Sequence, residues 1–97
     1  MHRLNYSVIT NLVSENSKVI DLGCGDGTLF KKLVDGKNAT GVGVEINQES
    51  VIKSIEKKLS VIQANLDDGL KQFPDKSFDF AILNRQISFI FSFSFSR

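Results

Sequence analysis

At 97 residues, 41% of them hydrophobic and 24% charged, the chain has room for one domain with a thin core and does not have the composition of a disordered protein. A formal net charge of +1 gives no field to recruit nucleic acid or a membrane surface, so neither is expected as a partner, and the apolar stretch at 87–95 is far short of the ~20 residues of a spanning helix. The one cysteine, Cys24, excludes an internal disulfide, residues 1–12 lack the apolar run of an export signal, and the expected location is cytoplasmic.

Residues 5–13 place Val8, Ile9, Leu12 and Val13, with Leu4 before them, at helical spacing, and a polar turn follows at 15–17. Residues 18–22 (KVIDL) read as a short buried strand. Residues 28–34 put Leu29, Phe30, Leu33 and Val34 on one helical face, and Asp35 and Gly36 predict the end of that helix. Residues 40–45 (TGVGVE) form a second strand. Asn47 is placed to cap a helix whose apolar stripe is Val51, Ile52, Ile55 and Leu59, with Lys57 and Lys58 in its last turn. Residues 60–64 (SVIQA) predict a third strand, 67–73 a turn or two of helix, 74–76 a turn, and 78–83 (FDFAIL) a fourth strand. Helices alternating with strands imply right-handed crossovers on a parallel sheet, with the first strand in the interior of a doubly wound α/β fold.

The chemistry concentrates where the first strand meets the second helix, at Asp21, Gly23, Cys24, Gly25, Asp26 and Gly27. Three glycines let the chain turn tightly and let a ligand lie on the backbone, and a helix start beyond them offers N–H groups and partial positive charge. Dinucleotide-binding loops space their glycines G-x-G-x-x-G. Here the spacing is G-x-G-x-G, with Asp21 before it and Asp26 within it. Carboxylates repel a phosphate and suit a ligand carrying ammonium and sulfonium groups, which favours S-adenosylmethionine over a nicotinamide dinucleotide. Glu45, at the end of the second strand, is placed to accept from both ribose hydroxyls. The end of the third strand brings Asn65 and Leu66 to the same edge, where ligands of open α/β sheets bind. The plainer readings are an Asp26 that favours the helix dipole, a turn-forming Asn65, a solvated Glu45, a small loop residue at Cys24, and solvated lysine pairs at 31–32 and 57–58. No metal site and no nucleophile are expected, because His2 is the only histidine.

The segments VIDLGCGDGTLFKKL, GVGVEIN and VIQANLDDGLKQFPDKSFDFAIL together resemble the methionine biosynthesis protein MetW family over about residues 3–83. The resemblance implies a Rossmann-like, class I S-adenosylmethionine-dependent methyltransferase fold. It also implies that Asp21 and Gly23 to Gly27 hold the methionine part of the cofactor, Glu45 the ribose, and Asn65 with Leu66 the adenine. Most relatives carry an acid where Asn65 stands. The resemblance further implies a role in methionine biosynthesis, either as a methyltransferase or as a non-catalytic partner or activator of a homoserine O-acyltransferase.

Four of the eight phenylalanines, at 89, 91, 93 and 95, alternate with serines in a tail unlike the family. Residues 1–83 are therefore expected to be the N-terminal half of a methyltransferase-like domain carrying the first four strands of the sheet. Residues 84–97 are expected to lie outside the native fold, as the end of a truncated copy too short for methyl transfer. The alternation itself is that of a strand able to pair with the edge of the fourth, but no good hairpin turn joins the two, which argues against pairing.

Overall fold

A computed structural model of the chain describes residues 5–73, 78–84 and 88–92; the expectations for His2, Leu4, the turn at 74–76, Phe93 and Phe95 lie outside the described residues. Helix α1 (Tyr6–Leu12) starts at Asn5, whose side chain accepts from the Val8 N–H at 2.9 Å. Of its apolar stripe, Ile9 and the adjoining Val13 are buried, while Val8 and Leu12 face out. Strand β1 (Lys18–Leu22) is buried from Val19 onward. Helix α2 (Thr28–Lys37) does not stop near Asp35 and Gly36 but runs through them. It ends at Asn38, held in the left-handed region at φ 52 with its amide donating to Asn16 Oδ1 at 2.6 Å. A glycine tolerates the helix interior, and a short amide side chain with local partners supplies the terminator instead.

Strand β2 (Thr40–Glu45) leads into helix α3 (Gln48–Glu56), which Asn47 caps as the sequence predicts, its Oδ1 accepting from the Ser50 N–H at 2.9 Å. The helix stops one residue before Lys57, and Lys58 sits at φ 67. Its buried face differs from the predicted stripe. Val51 and Ser54 point inward, followed by Leu59, while Ile52 and Ile55 are 49% and 53% exposed. Strand β3 (Val61–Gln63), helix α4 (Leu66–Lys71) and strand β4 (Phe80–Asn84) complete the predicted alternation.

The sheet order is β3-β2-β1-β4, all parallel, with β1 in the interior as predicted; Asp21 pairs with Gly43 on one side and Ile82 on the other. A fifth strand, β5 (Ser88–Ser92), adds antiparallel to the far edge of β4, with Asn84 opposite Ser88 and Phe80 opposite Ser92. The phenylalanine–serine segment thus pairs despite the missing turn signal. An apolar strand edge with unpaired N–H and C=O groups is a strong template for any nearby extended chain.

Two apolar layers sandwich the sheet. Ile9, Val13, Leu29 and Leu33 from α1 and α2 pack on Val19, Phe80 and Ile82. On the opposite face Ile20, Leu22, Val44 and Ala81 meet Leu66, Phe73 and Phe78, where the Phe73 and Phe78 rings stand edge-to-face with centroids 5.3 Å apart. Side chains alternate along β1, so Val19 and Asp21 share a face, and that parity aims one carboxyl into the layer beside α2.

At Gly41, φ is +128 and an added Cβ would overlap the Val19 carbonyl oxygen across the central strand pair. Gly41→Ala is expected to lower stability by about 3 kcal/mol or more. At Gly36 a Cβ meets nothing within 4 Å, and Gly36→Ala is expected to stabilise by about 0.5–1 kcal/mol. Urea unfolding of both variants reads these opposite signs.

Candidate functional site

The loop between β1 and α2 depends on backbone conformations that favour glycine, with φ 73 at Gly23, 59 at Gly25 and 85 at Gly27. The three strand ends converge on it. The N–H groups of Gly23 and Cys24 both donate to the Val44 carbonyl, at 2.7 and 3.1 Å, so the loop begins as a continuation of the β1–β2 pairing. The Gly27 N–H donates to the Cys24 carbonyl at 3.1 Å and closes a tight turn. The Thr28 N–H donates to Asp26 Oδ1 at 3.1 Å. The expectation that the loop offers free N–H groups to a ligand therefore does not hold for these amides, whose acceptors are all in the protein. A phosphate-binding cradle needs such groups aimed outward.

Glu45 ties two of the strand ends together. Its Oε1 accepts from the Gly25 N–H at 2.8 Å and its Oε2 from the Asn47 N–H at 2.9 Å. Each carboxylate oxygen has two acceptor positions, so each keeps one for another donor after these bonds are made. The half-buried carboxylate is thus held rigidly with acceptor capacity left over, in a form that suits a vicinal diol. The end of β3 is pinned to the same place. The Ala64 N–H donates to the Glu45 carbonyl at 3.1 Å, and the Gln63 amide donates to the Ile46 carbonyl at 3.2 Å.

Asp21 is fully buried, and the hydrogen-bonding partner beside its carboxyl is the Asn84 side chain. Burial pushes its pKa from 3.8 up to about 8; Asn84 beside it pulls the other way and the Glu45 charge adds to the rise. A buried carboxyl with a neutral amide as partner fits a cationic one as well, because an ammonium would supply both a further donor and the charge. The space beside Gly25 fits the same group, since an added Cβ there meets nothing within 4 Å. Gly27, in contrast, is packed against Leu59 and Ser54, so the open side of the loop is at Gly25.

The remaining predicted residues divide. Cys24 is buried, its thiol donating to the Gly25 carbonyl at 3.7 Å; burial, and then the Asp21 charge, push its pKa up to about 12, so it stays a neutral thiol. Asp26 is exposed and turned to its own helix, with Oδ1 accepting from the Thr28 hydroxyl at 2.6 Å as well as from the Thr28 N–H, bonds that lower its pKa. Asn65 caps α4, its Oδ1 accepting from the Asp68 N–H at 2.8 Å, and Leu66 opens that helix and packs on the sheet. Asp26 thus bonds to Thr28 at the start of α2, and Asn65 caps α4. Asp21, Gly23 to Gly27 and Glu45 come together at the β1 and β2 ends, with Asn65 and Leu66 just past β3.

Two residues at this site escaped the sequence reading. The Ser54 hydroxyl, fully buried, donates to the Gly25 carbonyl at 3.0 Å. Lys57 Nζ donates to the Asp26 carbonyl at 2.7 Å, so this lysine is a loop contact and not merely a solvated helix end. The available signal was polar Ser54 standing three residues after Val51 on a face that the buried layer would otherwise fill with an aliphatic side chain.

Residues 3–91 match the sequence profile of the family described as methionine biosynthesis protein MetW. A curated relative, the bifunctional methionine biosynthesis protein MetXA/MetW of Rhodopirellula baltica, is 34% identical over 84 residues, which are 78% of this chain and 14% of that protein. Among solved structures, a SAM-dependent methyltransferase from Archaeoglobus fulgidus superposes with a TM-score of 0.59 at 28% identity, covering 77% of this chain and 36% of the other. A SAM-dependent methyltransferase from Thiobacillus denitrificans, solved with S-adenosyl-L-homocysteine, has the same fold at a TM-score of 0.64 and 16% identity, over 78% of this chain and 34% of the other. The chain thus spans about a third of these methyltransferases and a smaller share of the bifunctional relative. The sheet order, the glycine loop and the match over nearly the whole chain agree: this chain has the Rossmann-like fold of class I methyltransferases and belongs to the methionine biosynthesis protein MetW family.

Proposed function

We propose that residues 1–83 bind S-adenosylmethionine across the ends of β1, β2 and β3. The observation that carries this reading is the Glu45 carboxylate, locked by the Gly25 and Asn47 N–H groups with one acceptor position free on each oxygen. In this reading Glu45 accepts from the ribose hydroxyls. Asp21 pairs with the ammonium of the methionine part, which lies along Gly23, Cys24, Gly25 and Gly27, with Asp26 at the rim. Asn65 and Leu66 flank the adenine. The loop amides already engaged by the protein weigh against a phosphate ligand, in agreement with the acids around it. Bound, the cofactor supplies an electrophilic methyl group. Cys24, held as a thiol, is not a nucleophile that would take it.

The second reading follows from the relative in which the MetXA and MetW names belong to one bifunctional chain. We propose that this chain acts in methionine biosynthesis as a partner of a homoserine O-acyltransferase, with cofactor occupancy as the signal it carries. Co-purification of the full chain with that enzyme, and acyl-transfer rates measured with and without the chain, test it. A stable complex with a changed rate is expected, and no complex at micromolar concentrations contradicts it.

Isothermal titration of the full chain with S-adenosylhomocysteine is expected to show one site. Glu45→Gln turns an acceptor into an N–H₂ group facing one of the two backbone N–H donors, and is expected to weaken binding about tenfold or more. Unchanged affinity in that variant contradicts the ribose assignment.

Asp21 gives a pH prediction. The unfolded carboxyl loses its proton near 3.8 and the folded one only near about 8, so the folded state holds more protons between these values. Stability is expected to fall as pH rises through that window and to level off above it, and Asp21→Asn is expected to flatten the slope. A cation beside the carboxyl lowers its pKa, so cofactor binding at neutral pH is expected to release a proton. Titration in buffers of different ionisation enthalpy measures that release.

A further inference from the structure

Helix α3 contacts the glycine loop through side chains whose role the cofactor reading leaves unassigned. Gly25 has φ +59 and no side chain, so nothing in its own covalent structure stops the peptide between it and Asp26 from rotating. Four contacts hold Gly25 and the carbonyl that follows it. Its N–H is held by Glu45 Oε1 at 2.8 Å on one side. Its carbonyl accepts from the Ser54 hydroxyl at 3.0 Å and from the Cys24 thiol at 3.7 Å. The following carbonyl, of Asp26, is held by Lys57 Nζ at 2.7 Å. The direction left over, where a Cβ would stand, is open to 4 Å and faces none of these partners. Ser54 and Lys57 therefore draw two successive carbonyls toward α3.

We propose that Ser54 is a positioning residue of the cofactor site, acting through the Gly25 carbonyl to keep that oxygen out of the space the methionine part of S-adenosylmethionine would occupy. The inference rests on the cofactor reading above and adds to it. Burial of the hydroxyl leaves Ser54 no water to bond with, so its hydrogen bond belongs wholly to the loop. Gly27 belongs to the same device, because an added Cβ there would stand 2.9 Å from Ser54 Oγ, so glycine at that position leaves the hydroxyl room to reach the Gly25 carbonyl. A carbonyl released into the cradle would set a partial negative charge and an atom's volume where the ligand must pass. A loop already ordered avoids that cost on binding.

The test compares two ligands that share the nucleoside and thioether but differ in the amino-acid part. Wild-type full chain, Ser54→Ala and Val51→Ala are titrated with S-adenosylhomocysteine and with 5′-methylthioadenosine. Ser54→Ala is expected to bind S-adenosylhomocysteine roughly tenfold more weakly while its affinity for 5′-methylthioadenosine stays within about twofold of wild type. Val51→Ala, which removes buried volume from the same helix face away from the loop, is expected to lower the melting temperature while leaving the ratio of the two affinities unchanged. An equal loss for both ligands in Ser54→Ala, or no loss, overturns the assignment while leaving the cofactor reading intact. A wild-type chain that binds neither ligand overturns the cofactor reading and this inference with it.

Discussion

One carboxylate holds the site together. The Glu45 side chain joins the loop after β1 to the loop after β2, through the N–H of Gly25 at 2.8 Å and the N–H of Asn47 at 2.9 Å. Parallel strands have no hairpins between them, so their C-terminal ends are separate loops that would otherwise move independently. An ionised acceptor shared by two backbone donors makes charge-assisted bonds, stronger than neutral ones, and fixes the distance between those loops. Asn47 also caps α3, so the orientation of that helix, and with it Ser54 and Lys57, is set from the same point. The glycine loop is then gripped from both sides, by β2 through Glu45 and by α3 through Ser54.

This arrangement uses up the polar groups that a phosphate site would need. With the Gly23, Cys24, Gly25, Gly27 and Thr28 amides all engaged internally, the acids contribute acceptor capacity: the second lone pairs of Glu45 and, beneath the surface, the buried carboxyl of Asp21. A surface of acceptors recruits donors and cations. The glycine loop here carries two acids beside it, one locked in place and one buried.

The sequence revealed the alternation of elements, the interior position of β1 and the identity of the loop, because each depends on local signals: β-branched runs, helical stripes and glycine spacing. It was less informative where a tertiary contact outweighs a local pattern. Ile52 and Ile55 satisfy an apolar periodicity, yet α3 is rotated to bury Val51 and Ser54, since the hydroxyl has a carbonyl to meet and isoleucine does not. Gly36 reads as a stop, but the true terminator is Asn38, whose left-handed conformation is stabilised by Asn16, 22 positions distant. Asp26 and Asn65 attract attention as an acid and an amide beside a ligand edge, and the structure shows Asp26 bonded to the adjacent Thr28 and Asn65 capping α4. The three-residue step from Val51 marks Ser54 as a polar residue on the buried face, but no local pattern names its partner Gly25, 29 positions away. The pairing of β5 with β4 was equally hard to read, since an edge accepts a strand by backbone geometry without a recognisable turn.

The central claim is that the ends of β1, β2 and β3 form one nucleoside site organised by Glu45. The most direct measurement is a set of backbone amide NMR spectra of the isotope-labelled full chain during addition of S-adenosylhomocysteine. The account predicts shifts concentrated at Gly23, Gly25, Gly27, Glu45, Asn47 and Leu66, with the amides of Ile9 and Val13 on the far layer unmoved. Saturating ligand that leaves Gly25, Glu45 and Asn47 unshifted, or that moves residues of α1 instead, would contradict it.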